Sequence, residues 1–381
     1  MKFHLPKFPS RLREQRVLLR VDFNVPVKRG HVQDDMRIKK TLPTIRELQK
    51  LHHKIILMSH LEDENGNTPT LLPIATYLRS HVKNLLFANH SSFDFEALRK
   101  KIDAMDSGDV LLLENLRQDP REKKNDDGFA KELAALADIY VNDAFSASHR
   151  EHASIVGVPR HLPHYAGPLL AEEIRHLSRA FRPPHPFVII IAGRKPIKLL
   201  LLARFLRKAD TAITGGVIAN TILHKKGIRV GQSVVEDGVD KETLDAFIHS
   251  RKILLPKDVI VSRQGKDEIV NIHNVQKSDI IYDIGPETVE EIRHILWGSR
   301  FVLWNGPLGY AEKGYEDSTY ALAQALIKGG KKSIVGGGDT IAYLNKKNIL
   351  HKFPFVSTGG GAMLEFLAER TLPGIEALMK E

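Results

Sequence analysis

Short, continuously apolar runs alternate with longer amphipathic segments along the whole chain. In the first half the runs fall at residues 17–21, 54–58, 110–113 and 139–142, and helical patterns cover 41–51, 71–85 with its connection, and 127–137. In the second half strands are predicted at 187–191, 211–214, 253–255, 259–262, 301–304, 332–335 and 355–357. Helices are predicted there at 198–209, 217–223, 241–251, 286–296, 318–328 and 362–370. Runs that are mostly apolar without alternating belong to strands buried on both faces, which means parallel sheet covered by helices. The connections between them are expected to be right-handed. A helical segment at 167–177 precedes Arg182-Pro183-Pro184-His185-Pro186, which breaks any helix and marks a domain boundary. The pattern therefore predicts the α/β class, with two doubly wound parallel sheets.

In open parallel sheets ligands bind beyond the carboxyl ends of the strands. In the first half those ends carry Asp22, Asn24, His60 and Arg117, with His149 and Arg150 a little downstream and Arg37 after the first strand's loop. Guanidinium pairs bidentately with phosphate and carboxylate, so this rim suits a small anion. The second half ends its strands in glycines: Gly193, Gly215-Gly216, Gly336-Gly337-Gly338 and Gly359-Gly360-Gly361. Glycine lets the backbone approach a ligand, and a helix start offers unpaired N–H groups to phosphate. Asp339-Thr340 opens such a helix. Asp339 suits an N-cap, and it suits an anion site once Mg²⁺ stands between the two negative groups. Lys195 and Lys198 stand three apart, on one face if helical.

Composition narrows the chemistry. A formal net charge of +10 over 381 residues is spread along the chain in short basic runs, without a basic stripe interleaved with aromatics. That favours small anionic substrates over nucleic acid. The absence of cysteine excludes disulfides, thiolate catalysis and cysteine metal sites. Positions 1–9 lack the apolar core of a secretory signal, and no apolar run approaches the roughly 18 residues that span a bilayer. Neither a Walker A sequence nor G-x-G-x-x-G is present, which argues against a P-loop enzyme and a dinucleotide-binding dehydrogenase. A basic rim, a glycine rim, two lysines and an aspartate–threonine pair are the parts that phosphoryl transfer uses.

Ten ordered blocks resemble phosphoglycerate kinase. They include Arg20-Val-Asp22-Phe-Asn24-Val-Pro26, Asp35-Met-Arg37-Ile, Leu57-Met-Ser-His60-Leu, Leu113-Glu-Asn-Leu-Arg117 and Val141-Asn-Asp-Ala-Phe145. The others are His149-Arg150-x-His152-Ala-Ser154, Asp283-Ile-Gly-Pro286, Leu303-Trp-Asn305-Gly-Pro307, Gly336-Gly-Gly-Asp339-Thr340 and Ser357-Thr-Gly-Gly-Gly361. The resemblance implies two Rossmann-like domains joined by a hinge helix. It sets a phosphoglycerate-binding domain at 1–166, the connecting helix at 167–182, a nucleotide-binding domain at 183–371 and a return of 372–381 to the first domain. It implies reversible transfer of phosphate between 1,3-bisphosphoglycerate and ADP, giving 3-phosphoglycerate and ATP in glycolysis. Asp22, Asn24, Arg37, His60, Arg117 and Arg150 would bind the phosphoglycerate. Arg37, Lys195 and Lys198 would be catalytic. Lys195, Lys198, Gly215, Gly216, Asn305, Pro307, Glu312, Gly337, Gly338, Asp339 and Thr340 would bind the nucleotide, and Asp339 its Mg²⁺. The implied setting is a cytoplasmic monomer acting on small molecules, without nucleic acid or membrane.

Four positions depart from the family pattern. Glu62-Asp63-Glu64 stands in place of glycine, arginine and proline, with Asp63 at the place of an arginine that meets the substrate phosphate. One residue is missing between Lys195 and Lys198, which would turn Lys198 by about 100° around its helix. Val217 and Ser146 replace glycines. An active kinase with a drifted substrate loop is one reading; a nucleotide-binding relative with weakened or lost catalysis is the other.

Overall fold

The computed structural model describes residues 3–9, 11–89, 93–263, 265–330 and 332–380. The chain divides into two compact units, Met1–Arg175 with Thr371–Glu381, and His176–Arg370.

The first unit is built on β1 (Arg16–Arg20), whose apolar interior is fully buried and pairs in parallel on both sides. The other strands are β4 (Lys54–Met58), β5 (Leu85–Phe87), β6 (Val110–Leu112), β7 (Ile139–Asn142) and β8 (His164–Ala166). They form a parallel sheet in the order β5-β6-β4-β1-β7-β8. A two-stranded hairpin, β2 (Val27–Lys28) and β3 (His31–Val32), follows β1. The crossovers run through α1 (Met36–Lys50), α2 (Leu72–Arg79), α3 (Phe95–Asp103), α4 (Pro120–Lys123) and α5 (Asp127–Ala134), with α6 (Pro168–Leu177) after β8. Helix α1 starts earlier than the pattern predicts and carries Pro43 inside it, while Ile38, Leu42, Ile45 and Leu48 bury its apolar face. At the chain's end Gly374 N donates to Ser148 O at 2.8 Å, and Leu372, Ile375 and Leu378 are buried.

The second unit holds a parallel sheet of β9 (Phe187–Ala192), β10 (Thr211–Gly215), β11 (Ile253–Leu254), β15 (Phe301–Asn305) and β16 (Lys332–Gly336), ordered β11-β10-β9-β15-β16. Its helices are α7 (Ile197–Leu206), α8 (Gly216–Lys225), α9 (Lys241–His249), α10 (Pro286–Gly298), α11 (Asp317–Lys328), α12 (Gly338–Lys346) and α13 (Gly361–Glu369). The strand expected at 259–262 does not join this sheet. It is β12 (Asp258–Arg263), the centre of a separate antiparallel sheet with β13 (Lys266–Asn271) and β14 (Ile280–Ile284). The strand expected at 355–357 is reduced to one bridge, Val335 to Val356. Among the described residues no helix is long and apolar enough to cross a membrane.

Asp143, just past β7, fixes the start of α6. Its buried carboxylate accepts from Leu169 N at 2.7 Å and Leu170 N at 3.4 Å, and from Thr44 Oγ1 of α1 at 2.8 Å. A carboxylate on the first N–H groups of a helix satisfies donors that have no partner within the helix. Asp143→Ala is expected to lower stability by about 2 kcal/mol, read as a lower urea midpoint; an unchanged midpoint would refute the capping role.

Candidate active site

The register of the first sheet sets its strand ends side by side: Arg20 lies opposite Met58 and Asn142, and Leu57 opposite Leu112. The chain leaves each end into a polar loop. Asp22, nearly buried, accepts from Asn24 N at 3.0 Å, from Ser146 Oγ, and from Arg37 Nη1 at 2.9 Å. Arg37 Nη1 also donates to Asn24 O at 3.0 Å. Asn24 Oδ1 accepts from Glu62 N at 3.0 Å. Asp22, Asn24 and Arg37 are thus one hydrogen-bonded cluster, and Ser146, the departure from glycine, braces it.

His60 is buried behind this cluster. Its Nδ1 meets Arg20 Nη2 at 3.0 Å. Burial, followed by the positive charges of Arg20, Arg150 and His152, holds His60 well below the ordinary imidazole range. His60 is therefore neutral at pH 7, and with Arg20 donating to Nδ1 its proton sits on Nε2. Arg20 is itself 1% exposed and donates to Ser154 Oγ at 2.9 Å, whose hydroxyl donates to Glu122 Oε1 at 2.6 Å. That buried chain fixes the imidazole.

Arg117 stands one turn past β6. Asn115 Oδ1 accepts from both Arg117 N and Leu61 N at 3.2 Å, and its amide donates to Leu61 O and Pro69 O at 2.7 Å. One buried asparagine thus ties the loop after β4 to the loop that carries Arg117. The Arg117 side chain is 1% exposed and forms an ion pair with Glu62. Glu62 also pairs with Lys123 Nζ at 2.8 Å and lies 3.9 Å from Arg150 Nη1. The acidic loop therefore reaches the cations through Glu62. Asp63 instead caps its own turn, accepting from Asn65 N at 2.9 Å, Asn67 N at 2.8 Å and Asn67 Nδ2 at 2.7 Å. Sequence reasoning singled out Asp63 and missed Lys123, which no motif carries. Asn115 stood inside a quoted block without a role.

In the second unit the order β10-β9-β15-β16 sets Gly215 opposite Ala192, and Asn305 opposite both Ile191 and Gly336, at the carboxyl ends of the strands. Lys198 lies at the start of α7, is 4% exposed, and donates from Nζ to Ala192 O at 2.6 Å. The same ammonium would stand 2.9 Å from a Cβ on Gly193 or Gly306. Burial lowers it to about 8, with Asp339 opposing the shift and Lys195 adding to it. Lys195 precedes the helix and is exposed, so the two lysines do not share a helical face; only Lys198 is buried against the strand ends.

Asn305 is fully buried, and its Oδ1 has no hydrogen-bond partner. Gly337, with φ +95°, adopts a conformation that favours glycine, and a Cβ there would stand 3.0 Å from that oxygen. Gly306, with φ +104°, is constrained likewise, and its N–H donates to Thr340 Oγ1 at 2.9 Å. Thr340 is buried, whereas Asp339 beside it is exposed at the start of α12. Pro307 is buried after Gly306, Gly216 opens α8 after Gly215, and Val217 is half-buried in the first turn of α8. Glu316 is held by Lys346 at 3.0 Å and Lys347 at 3.1 Å. Glu312 is exposed and makes no ion pair among the described residues. A bare backbone edge, a buried ammonium, an unpartnered carbonyl oxygen and a carboxylate at a helix start fit a polyphosphate with a divalent cation. Among the described residues no group of three or more His, Cys, Asp or Glu is placed to hold a metal.

The phosphoglycerate kinase family model matches residues 9–370. The chain is 42% identical over 384 residues to the phosphoglycerate kinase of Moorella thermoacetica, covering 97% of this chain and 98% of that one. It is 39% identical over 380 residues to that of Thermus thermophilus, covering 96% and 97%. Among solved structures, phosphoglycerate kinase from Coxiella burnetii matches with a TM-score of 0.82 at 37% identity, covering 97% of both chains. That from Pyrococcus horikoshii matches with a TM-score of 0.82 at 32% identity, covering 96% of both. The chain belongs to the phosphoglycerate kinase family, the phosphotransferases of glycolysis.

Proposed function

We propose that the first unit's basic rim binds 3-phosphoglycerate or 1,3-bisphosphoglycerate and the second unit's glycine edge binds ATP or ADP with Mg²⁺. The observation that supports this most is the Lys198 ammonium buried at the ends of β9 and β15, on the same sheet edge as Thr340 and Asp339. In the forward direction of ATP use, a carboxylate oxygen of 3-phosphoglycerate attacks the terminal phosphorus, and ADP leaves with the bond electrons. No protein proton has to move. The residues' work is to hold the reactants and stabilise charge on the phosphoryl oxygens.

Arg37, held by Asp22 and Asn24, would hold the substrate's carboxyl end and meet the moving phosphoryl group. Neutral His60, Arg117 and Arg150 would bind the rest of the phosphoglycerate. Lys198 would give positive charge to the phosphoryl oxygens in a dry site, where it counts most. Thr340, Gly337 and Gly338 would hold phosphates, with Gly215, Gly216, Asn305 and Pro307 completing the nucleotide's seat and Glu312 receiving its ribose hydroxyls. Lys195, exposed on the preceding turn, would reach the nucleotide as a mobile cation. Mg²⁺ held by Asp339 and the nucleotide phosphates would neutralise part of the charge that builds during transfer. A cytoplasmic monomer, as in the family, is part of this proposal.

A coupled assay of 3-phosphoglycerate phosphorylation by ATP–Mg²⁺ tests it. Wild type should turn over, and Asp339→Ala and Lys198→Ala should each lose at least about 100-fold in kcat. Undiminished turnover in Asp339→Ala, or none in wild type that still binds ADP–Mg²⁺, would refute it. The pH profile is a separate check. Lys198 is charged below its value of about 8 and loses its proton above it. In the free enzyme kcat/KM should therefore fall on the alkaline side with a midpoint near pH 8, and kcat should fall at higher pH because bound phosphates hold the proton. A kcat/KM flat to pH 9.5 would contradict the role given to Lys198.

A further inference from the structure

Glu62 does what a bound anion would do. Its carboxylate bridges the buried Arg117 guanidinium and Lys123 Nζ, with Arg150 Nη1 3.9 Å away. Three cations drawn from three separate stretches converge on one carboxylate supplied by the chain itself. We propose that Glu62 is an internal competitor for the substrate's phosphate, occupying its seat until the substrate displaces it. This rests on the assignment of the basic rim to phosphoglycerate.

The loop is built for exchange. Glu62 N is anchored to Asn24 Oδ1 at 3.0 Å. The following turn is closed by Asp63, whose N–H donates to Asn67 O at 3.0 Å and whose side chain receives three further bonds. Backbone and turn are therefore fixed, and the Glu62 side chain, 23% exposed, can leave the cations by rotating about its own bonds. Arg117 cannot follow it into water and must be given another anion. A phosphate monoester carries up to about twice the charge of a carboxylate, so it competes well for the vacated cations. An uncharged or singly charged ligand end competes poorly. Glu62 thus weakens any ligand that has to take this seat, and an end that cannot replace its charge leaves it in place, so the opposing group sets which ligands enter.

Glu62→Gln removes the charge with little change in shape. It should lower the KM for 3-phosphoglycerate about tenfold, leaving kcat and the KM for ATP within about twofold, a split that a general loss of structure would not produce. Binding of inorganic phosphate, measured by calorimetry, should tighten to a similar degree. Glu62→Ala, which also removes the amide that could still meet Arg117, should shift both values the same way and serves if the Gln variant fails to fold. An unchanged or raised KM for 3-phosphoglycerate, with phosphate affinity equal to wild type, overturns the proposal. If wild type and variants all lack turnover, the proposed reaction falls, and phosphate binding decides alone: tighter in Glu62→Gln supports the competitor, equal binding overturns it.

Discussion

A guanidinium taken out of water has to be given partners for its charge and its N–H groups. The Arg117 side chain is 1% exposed, and the surrounding loops are arranged to meet that requirement. Asn115 fixes Arg117 and the loop after β4 together, Asn24 holds the main chain of Glu62, and Glu62 supplies the charge. The pairing also explains how an acidic loop is tolerated in a site made to bind anions. Burying the pair costs desolvation, but leaving Arg117 unpaired would cost more.

The second unit meets a related requirement with backbone. At Gly306 a Cβ would overlap Ala192 O and crowd the Lys198 ammonium, at Gly193 it would crowd that ammonium, and at Gly215 it would crowd Leu308. The exposed N–H groups and the buried ammonium give positive potential without a cluster of arginines. Asn305 Oδ1, buried without a partner, is an uncompensated acceptor in that edge. Such an atom is costly in a core and reasonable where a ligand donor completes it.

Much of this was legible in the residue pattern, for a physical reason. The strands of the two parallel sheets are buried on both faces, so they read as unbroken apolar runs, and β1, β4, β7, β9 and β15 are found within a residue of their expected ends. What stayed hidden lacks that signature. β13 is Lys-Asp-Glu-Ile-Val-Asn and almost wholly exposed, so the antiparallel sheet it belongs to left no periodicity, and β12 was assigned to the wrong sheet. β5 and β8 are three residues each and, unlike the equally short β6, are not buried at every position. At the site, single residues were legible where a motif carried them, but pairings across the chain were not. Asp63 drew attention because of its place in the motif. The side chain that reaches the cations is its neighbour, because the Asp63 turn consumes its own carboxylate. Lys195 and Lys198 looked like one face until the helix began between them.

The most direct test is a crystal structure of the full chain with 3-phosphoglycerate bound. The phosphate should lie against Arg117 and Arg150, with the Glu62 carboxylate turned away from both and the Asp63 turn unmoved. Glu62 still paired with Arg117 while the ligand binds elsewhere on the rim, or away from it, would contradict the account.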